Sequence, residues 1–305
     1  AGVVIRKVPA SRYFQATIAS LCYNRWIRKD NPGICAINFL YHGEERLPKN
    51  YKYLYILNTP ASEVPQRYAY IRNKLAHFPL MEFVAVSEMV KREAISYLTG
   101  RRVSVIFNGV DTDVFVPPNG ANNNLRHDKI NVITVAALEE RKGIQHLLML
   151  LAKPGNRIRS NIQYDIYGDG AYKPMLEKIV RENQLEDCVS LYAPVNNLQE
   201  VLPRYDLFCL LSHGEAMPMA PLEAMACGLP VLCADVPPFD ELITPEVGMA
   251  VNPNNKEMIL EFLLHFRETA GTKLYSSAAR KRSLLFSWDI IADKYEHLIR
   301  EYGTA

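Results

Sequence analysis

The 305-residue sequence lacks any run suited to crossing a bilayer: its longest stretch without a charged residue is 13 residues, Asn31 to Gly43, against the ~18 that a membrane span needs. No basic–apolar–small segment opens the chain, so the expectation is a soluble, cytoplasmic protein. Cysteine is sparse and unpatterned. Cys22, Cys35, Cys188, Cys209, Cys227 and Cys233 form no Cys-x-x-Cys pair, and most lie in apolar runs such as Leu207–Leu211. That argues for reduced thiols in a core and against a disulfide frame or zinc site. There is no N-x-S/T acceptor either. An excess of either charge is missing: 35 Lys plus Arg face 33 Asp plus Glu, for a net +2. A nucleic-acid partner, which needs a basic footprint, is therefore not expected. No solenoid-length repeat and no long low-complexity tract occurs. With 49% hydrophobic residues the chain is globular, and at roughly 150 residues per domain it has room for about two.

The second half alternates strands and helices. Ile130–Ala136, Tyr164–Tyr167, Cys188–Tyr192, Asp206–Leu211, Pro230–Ala234 and Gly248–Val251 read as strands. Helical segments fall between them at 143–152, 171–184, 198–205 and 221–227, the last stopped by Gly228. This spacing predicts right-handed βαβ crossovers and a parallel sheet covered on both faces. The first half repeats the pattern less clearly, with strands at Val3–Val8, Ile34–Leu40, Tyr53–Leu57, Phe83–Val86 and Val103–Phe107. Ser11 and Ser87 are placed to cap the helices that follow them. From Pro117 to Asn124 no apolar side chain is larger than alanine, which suggests a hinge between Pro117 and Asp128.

In open parallel sheets, ligands bind beyond the carboxyl ends of the strands. The loops to search are therefore Ala137–Gly143, Gly168–Gly170, Ala193–Asn196 and Ser212–Glu223. In the last of these, Glu215 and Glu223 lie eight residues apart, with Met217-Pro218-Met219-Ala220-Pro221 opening a helix between them. The free N–H groups of such a first turn suit a diphosphate. Glu223 is then placed for two ribose hydroxyls and Glu215 for sugar hydroxyls at the reaction centre. On spacing alone, two surface glutamates near a helix start fit equally well.

The run Gly214-Glu215-Ala216-Met217-Pro218-Met219-Ala220-Pro221-Leu222-Glu223-Ala224-Met225-Ala226-Cys227-Gly228 closely resembles the Glu-x7-Glu segment of the family-4 retaining glycosyltransferases. Other segments that resemble the family fall in its order: Phe83–Glu88, Val105–Phe115, Lys142-Gly143, Ile166–Gly170 and Phe286–Trp288. The resemblance implies an α/β chain of GT-B fold, two Rossmann-like doubly wound parallel-sheet domains facing a cleft, with a small or truncated N-terminal domain. The division it suggests is residues 1–124 for the acceptor, 125–285 for a nucleotide sugar, and a helix over 286–305 crossing back toward the first domain. The implied activity is metal-independent transfer of a hexose from a nucleotide diphosphate sugar to a hydroxyl acceptor with retention, the leaving diphosphate taking the acceptor's proton. Carried over by position, Glu215 is the catalytic residue and Glu223 the ribose ligand. Lys142 neutralises phosphate. Ala216, Met217, Met219, Leu222 and Gly168 complete the donor site. The co-substrate is the nucleotide sugar, and no cofactor or metal is implied.

The sequence departs from the family in three places. Ala137 stands where an arginine usually precedes the lysine, and Arg141 is the candidate replacement. Ala216-Met217-Pro218 replaces Gly-Phe-Gly, and Pro9-Ala10-Ser11-Arg12 occupies the position of a glycine-rich loop. His213, His42 and Asn58 are further site candidates at strand ends, whereas His77, His127, His146, His265 and His297 read as surface or core residues. Asp111-Thr112-Asp113 reads as a turn rather than a metal motif. Arg25–Lys29, Lys91-Arg92 and Arg101-Arg102 would suit a peripheral membrane contact and a lipid-linked acceptor, or simply the C-termini of helices. Two other readings stay open: a non-catalytic sugar-nucleotide sensor or scaffold, and a sugar-nucleotide 2-epimerase.

Overall fold

The computed structural model describes residues 35–38, 52–74, 80–118, 129–155, 158–268 and 272–304. The expected strand Val3–Val8, the Ser11 cap, the Pro9–Arg12 loop, the Arg25–Lys29 cluster, Cys22, His42, His77 and His127 lie outside the described residues, as does most of the expected hinge. The chain divides into two compact units, one formed by Ala1–Gly109 and Trp288–Ala305, the other by Val110–Ser287.

In the first unit, strands β1 (Cys35–Asn38), β2 (Lys52–Leu57), β3 (Met81–Ala85) and β4 (Val103–Val105) form a parallel sheet in the order β1-β2-β3-β4. Helices α1 (Pro65–Lys74) and α2 (Glu88–Tyr97) connect successive strands. Leu54 to Leu57 and Phe83 to Val86 are buried at every consecutive position, the pattern of strands covered on both faces. The predicted cap is present: buried Ser87 accepts a hydrogen bond from the Val90 N–H through its Oγ at 3.3 Å.

The second unit carries six parallel strands in the order β10-β9-β8-β5-β6-β7. They are β5 (Ile130–Val135), β6 (Ile162–Tyr167), β7 (Val189–Tyr192), β8 (Leu207–Leu210), β9 (Val231–Ala234) and β10 (Gly248–Val251). Helices α3 (Ile144–Leu151), α4 (Lys173–Glu182) and, beyond the short α5 (Leu198–Val201), α6 (Met219–Ala226) follow successive strands. The chain continues through α7 (Phe239–Leu242), α8 (Lys256–Glu268), α9 (Thr272–Leu284) and α10 (Trp288–Thr304), the last belonging to the first unit. Leu147, Leu148, Leu151, Leu176, Ile259, Leu263 and Phe266 bring α3, α4 and α8 onto one face, against Val132, Tyr164 and Cys209. Strand alternation sends Phe208 and Leu210 to the opposite face, and α6 packs on β8 and β9. Cys188, Cys209, Cys227 and Cys233 are buried free thiols, and burial pushes Cys209 and Cys227 up to about 12.

The second unit starts at Val110, ahead of the hinge suggested by composition. Apolar burial and backbone pairing explain the shift. The Val110 N–H donates to the Phe286 carbonyl at 2.8 Å, Val110 bridges Ser287, and Phe115 is buried. Asp111 closes its own turn, its Oδ1 accepting from the N–H groups of Asp113 and Val114 at 3.0 and 3.1 Å. This is the turn expected of Asp111-Thr112-Asp113.

Candidate donor site

The six-stranded order reverses between β5 and β8: from β5 the chain steps outward to β6 and β7, then returns to β8 on the other side. Loops leaving neighbouring strands in opposite directions open a crevice at that point. The loop after β5 carries Arg141 and Lys142 at the end of a single 3-10 turn, Glu140–Lys142. The loop after β8 carries His213 to Pro218 and runs into α6. Gly143 makes their close approach feasible. Its φ is +68°, and an added Cβ would lie 1.8 Å from the Leu211 carbonyl oxygen, so a side chain would push the two loops apart. The His213 N–H then donates to the Arg141 carbonyl at 2.8 Å.

This approach delivers Lys142 to Glu215. The Nζ lies 2.7 and 2.9 Å from the two carboxylate oxygens, and the side chains are only 13% and 8% exposed. Arg141 is 4.0 Å from the same carboxylate, while its Nε holds Glu139 at 2.7 Å and its Nη1 donates to the Gly214 carbonyl at 3.4 Å. The exposed Arg141 guanidinium thus sits at the rim of the crevice. Ala137 is exposed on the same loop.

Helix α6 begins at Met219 behind Pro218, and no side chain caps its first turn. Two of its first N–H groups, on Met219 and Ala220, therefore have no capping side chain, which suits an anion. Glu223, one turn further on, is half-buried, as are Ala216, Met219 and Ala220, whereas Met217 is buried. Leu222 is fully buried in the core, which limits any contribution to a ligand to its backbone. Gly168, at the end of β6, is close to the loop after β5: a Cβ there would lie 2.0 Å from the Ala136 carbonyl oxygen.

Of the histidines, His213 is exposed beside Glu215 and meets His146 with its Nε2 3.1 Å from the other Nε2. His146, read from sequence as a filler, thus belongs to the site's edge. The cue was its place in the first turn after Lys142-Gly143, but its partner lies 67 residues away. Burial, with help from neighbouring His213 and Lys256, holds the His146 imidazole below its ordinary 6.5. The unfolded chain therefore takes up that proton first, and stability falls as pH drops through 6.5 toward the folded value. Melting curves at pH 7.5 and 5.5 should show a smaller acid-induced loss for His146→Gln than for the native chain.

Other candidates do not gather here. Asn58 lies in the first unit beyond β2, half-buried, and its Oδ1 accepts from the Thr59 hydroxyl at 3.3 Å. Arg102, also in the first unit, is held bidentately by Glu301 at 2.9 and 3.0 Å. These two line a cavity of about 460 Å³ between β4 and α10, together with Ile106, Lys294 and His297. That cavity contains none of the predicted donor residues.

Residues 118–274, just over half of the chain, match the family described as Glycosyl transferases group 1. The chain belongs to that family. It is 31% identical over 169 residues to an exopolysaccharide phosphotransferase of Streptomyces coelicolor, covering 52% of this chain and 17% of that one. It is 26% identical over 233 residues to a phosphatidylinositol N-acetylglucosaminyltransferase component of Arabidopsis thaliana, covering 73% and 51%. This chain spans about half the length of such curated relatives, or less. Among solved structures, HepE of Anabaena with UDP and glucose superposes with a TM-score of 0.71 at 20% identity, covering 82% of this chain and 72% of that one. The fold is that of GT-B glycosyltransferases, with Rossmann-like parallel sheets. Among the described residues, no helix is long and apolar enough to cross a membrane.

Proposed function

We propose that this chain is a retaining glycosyltransferase that takes a hexose from a nucleotide diphosphate sugar and passes it to a hydroxyl acceptor. The observation that carries the reading is the Lys142–Glu215 ion pair, 2.7 Å at its shortest, at the crevice into which the uncapped start of α6 opens. A lysine and free helix N–H groups are the positive elements a diphosphate leaving group needs; the helix terminus is fixed before it arrives, and Lys142 is held beside it by Glu215 until the diphosphate takes it over. In this reading Lys142, with Arg141 at the rim, takes the phosphates, and the backbone of Ala216 to Met219 completes their cradle. Glu223 binds the ribose hydroxyls, and Gly168 contributes to the donor site by letting the loops after β5 and β6 meet. Glu215 holds the hexose. The acceptor attacks from the face of the leaving diphosphate, which accepts its proton, so the anomeric configuration is kept. Because a lysine and a helix terminus supply the charge, we propose that no divalent ion is required, and turnover should survive EDTA.

Binding of UDP by the structurally similar HepE supports a nucleotide donor. The test is thermal unfolding with UDP, GDP and ADP, since a ligand that binds only the folded state raises its melting point. One of the three should stabilise the native chain, and Glu223→Gln should lose most of that stabilisation. If Glu223→Gln keeps it in full, the ribose assignment is wrong. Release of free sugar from the matching nucleotide sugar separates an enzyme from a sensor, and a changed sugar on the recovered nucleotide would identify an epimerase. A lipid-linked acceptor and peripheral attachment on the cytoplasmic side fit the kinship to a phosphatidylinositol N-acetylglucosaminyltransferase component. Within the described residues their basis is narrow, because Arg102 is already neutralised by Glu301 and Lys91 lies 3.7 Å from Glu88. Failure to float with anionic liposomes at low salt would remove this part of the proposal.

A further inference from the structure

We infer that Arg280, on α9, is a positioning residue for donor binding: it sets the position of α6 from the end opposite the ligand. This rests on the reading of α6 given above. Helix α6 is eight residues long, and its N-terminal turn lacks a side-chain cap, so nothing of that kind fixes it there. Its C-terminal end is held in detail. The Leu229 N–H donates to the Ala224 carbonyl and the Gly228 N–H to the Met225 carbonyl, both at 2.9 Å. Gly228 adopts φ +80°, and an added Cβ there would meet Ser276 Oγ at 2.8 Å and Pro117 at 3.6 Å. This closed turn leaves the Ala226 carbonyl to Arg280, whose Nη1 donates to it at 2.8 Å.

The same guanidinium reaches two further carbonyls, Phe115 at 2.8 Å through Nη1 and Thr112 at 2.9 Å through Nη2. One side chain thereby ties the last turn of α6 to the segment that enters the second unit. Its cation also stands where a helix dipole favours positive charge. At 1.5 Å per residue, the anchored carbonyl is roughly 10 Å from the first turn, and a rigid helix transmits any axial shift over that length without loss. Lysine is a poor substitute, because a single ammonium lacks the planar fork that spans three acceptors.

The same helix supplies its own comparator. Two residues on, Arg282 donates to the carbonyls of Glu241 at 2.7 Å and Leu242 at 3.2 Å, and lies over the Phe286 ring at 5.4 Å. It caps α7, which carries none of the proposed donor ligands. A purely structural role predicts similar behaviour for the two arginines, and a positioning role separates them.

The experiment uses the full chain and whichever of UDP, GDP or ADP most raises its melting point. Arg280→Met, Arg280→Lys, Arg282→Met and Glu223→Gln are compared by melting point, by calorimetric Kd at a temperature where all are folded, and by the KM and kcat of nucleotide-sugar hydrolysis. Arg280→Met should weaken the nucleotide at least tenfold and raise KM more than it lowers kcat, with partial recovery in Arg280→Lys. Arg282→Met should lower the melting point but change Kd less than twofold. Equal Kd effects from the two arginines, or a melting-point loss at Arg280 with unchanged Kd, overturns the inference. If Arg280→Met does not fold, Arg280→Lys carries the same comparison. A Glu223→Gln variant that binds normally defeats the α6 reading itself. If Glu223→Gln binds weakly while Arg280→Met binds normally, the inference about Arg280 alone fails.

Discussion

Glu215→Gln is expected to bind nucleoside diphosphate about tenfold more tightly than the native chain while transferring sugar at least a hundredfold more slowly. The two changes run in opposite directions because the carboxylate has two partners at different times. Without ligand, both of its oxygens engage Lys142 Nζ, at 2.7 and 2.9 Å, in a setting where the glutamate side chain is 8% exposed. An incoming diphosphate must take the lysine from that carboxylate. Glutamine keeps the shape and removes the charge, so the competition weakens. A hydrogen bond to a charged group contributes about 1.5–3 kcal/mol net, and 1.4 kcal/mol is tenfold in affinity. The gain is set near the lower limit because a neutral amide still accepts one bond from the ammonium. Transfer, by contrast, needs the charge: deleting one preorganised group that stabilises the reacting centre commonly costs 10²–10³ in rate. Calorimetry with the nucleotide and turnover of its sugar conjugate measure the two effects. Parallel loss of both would mean that Glu215 only supports the loop, and weaker nucleotide binding would show that it does not compete for Lys142.

Much of this site was legible locally. A β-branched run marked β5 and consecutive apolar residues marked β8, and the eight-residue spacing of Glu215 and Glu223 placed one in a loop and the other on the following helix. The Ser87 cap is likewise a property of adjacent residues. Partner choice was not legible. Lys142 and Glu215 each read as a contact to a ligand, and nothing in their local sequence signals that residues 73 apart face one another. That contact follows from the reversal of strand order between β5 and β8, and from Gly143 letting the two loops touch. The division between the two compact units is not legible in composition for a related reason. The stretch from Pro117 looks like a linker because it lacks large apolar groups, but the division is set upstream, where Val110 and Phe115 are buried. For Arg280 and Arg282 too, the local sequence carries no sign of their partners. At 100° per residue their side chains point about 200° apart, which is why each reaches the C-terminus of a different helix.

Lys142→Met should lower stability by about 3 kcal/mol and abolish measurable nucleotide binding, and adding Glu215→Gln should restore most of the stability and none of the binding. Removing one member of a largely buried pair leaves an uncompensated charge, which typically costs 3–5 kcal/mol. The low end applies because Arg141 stands 4.0 Å from the stranded carboxylate, although Glu139 already engages its Nε. At about 2–4 °C per kcal/mol for a unit of this size, the melting point should drop by roughly 6–12 °C. The reverse deletion is milder, since a lysine freed from its partner can extend its ammonium toward water along an apolar stem. In the double variant neither charge remains, so the orphan penalty disappears and the cycle of two singles and one double should be strongly non-additive. Binding follows a different rule. The diphosphate needs the ammonium itself, so both variants that lack Lys142 should fail to respond to nucleotide whatever their melting points. Additive stability losses would show that the pair is not an energetic unit, and recovery of nucleotide binding in the double variant would move the phosphate site away from Lys142 altogether.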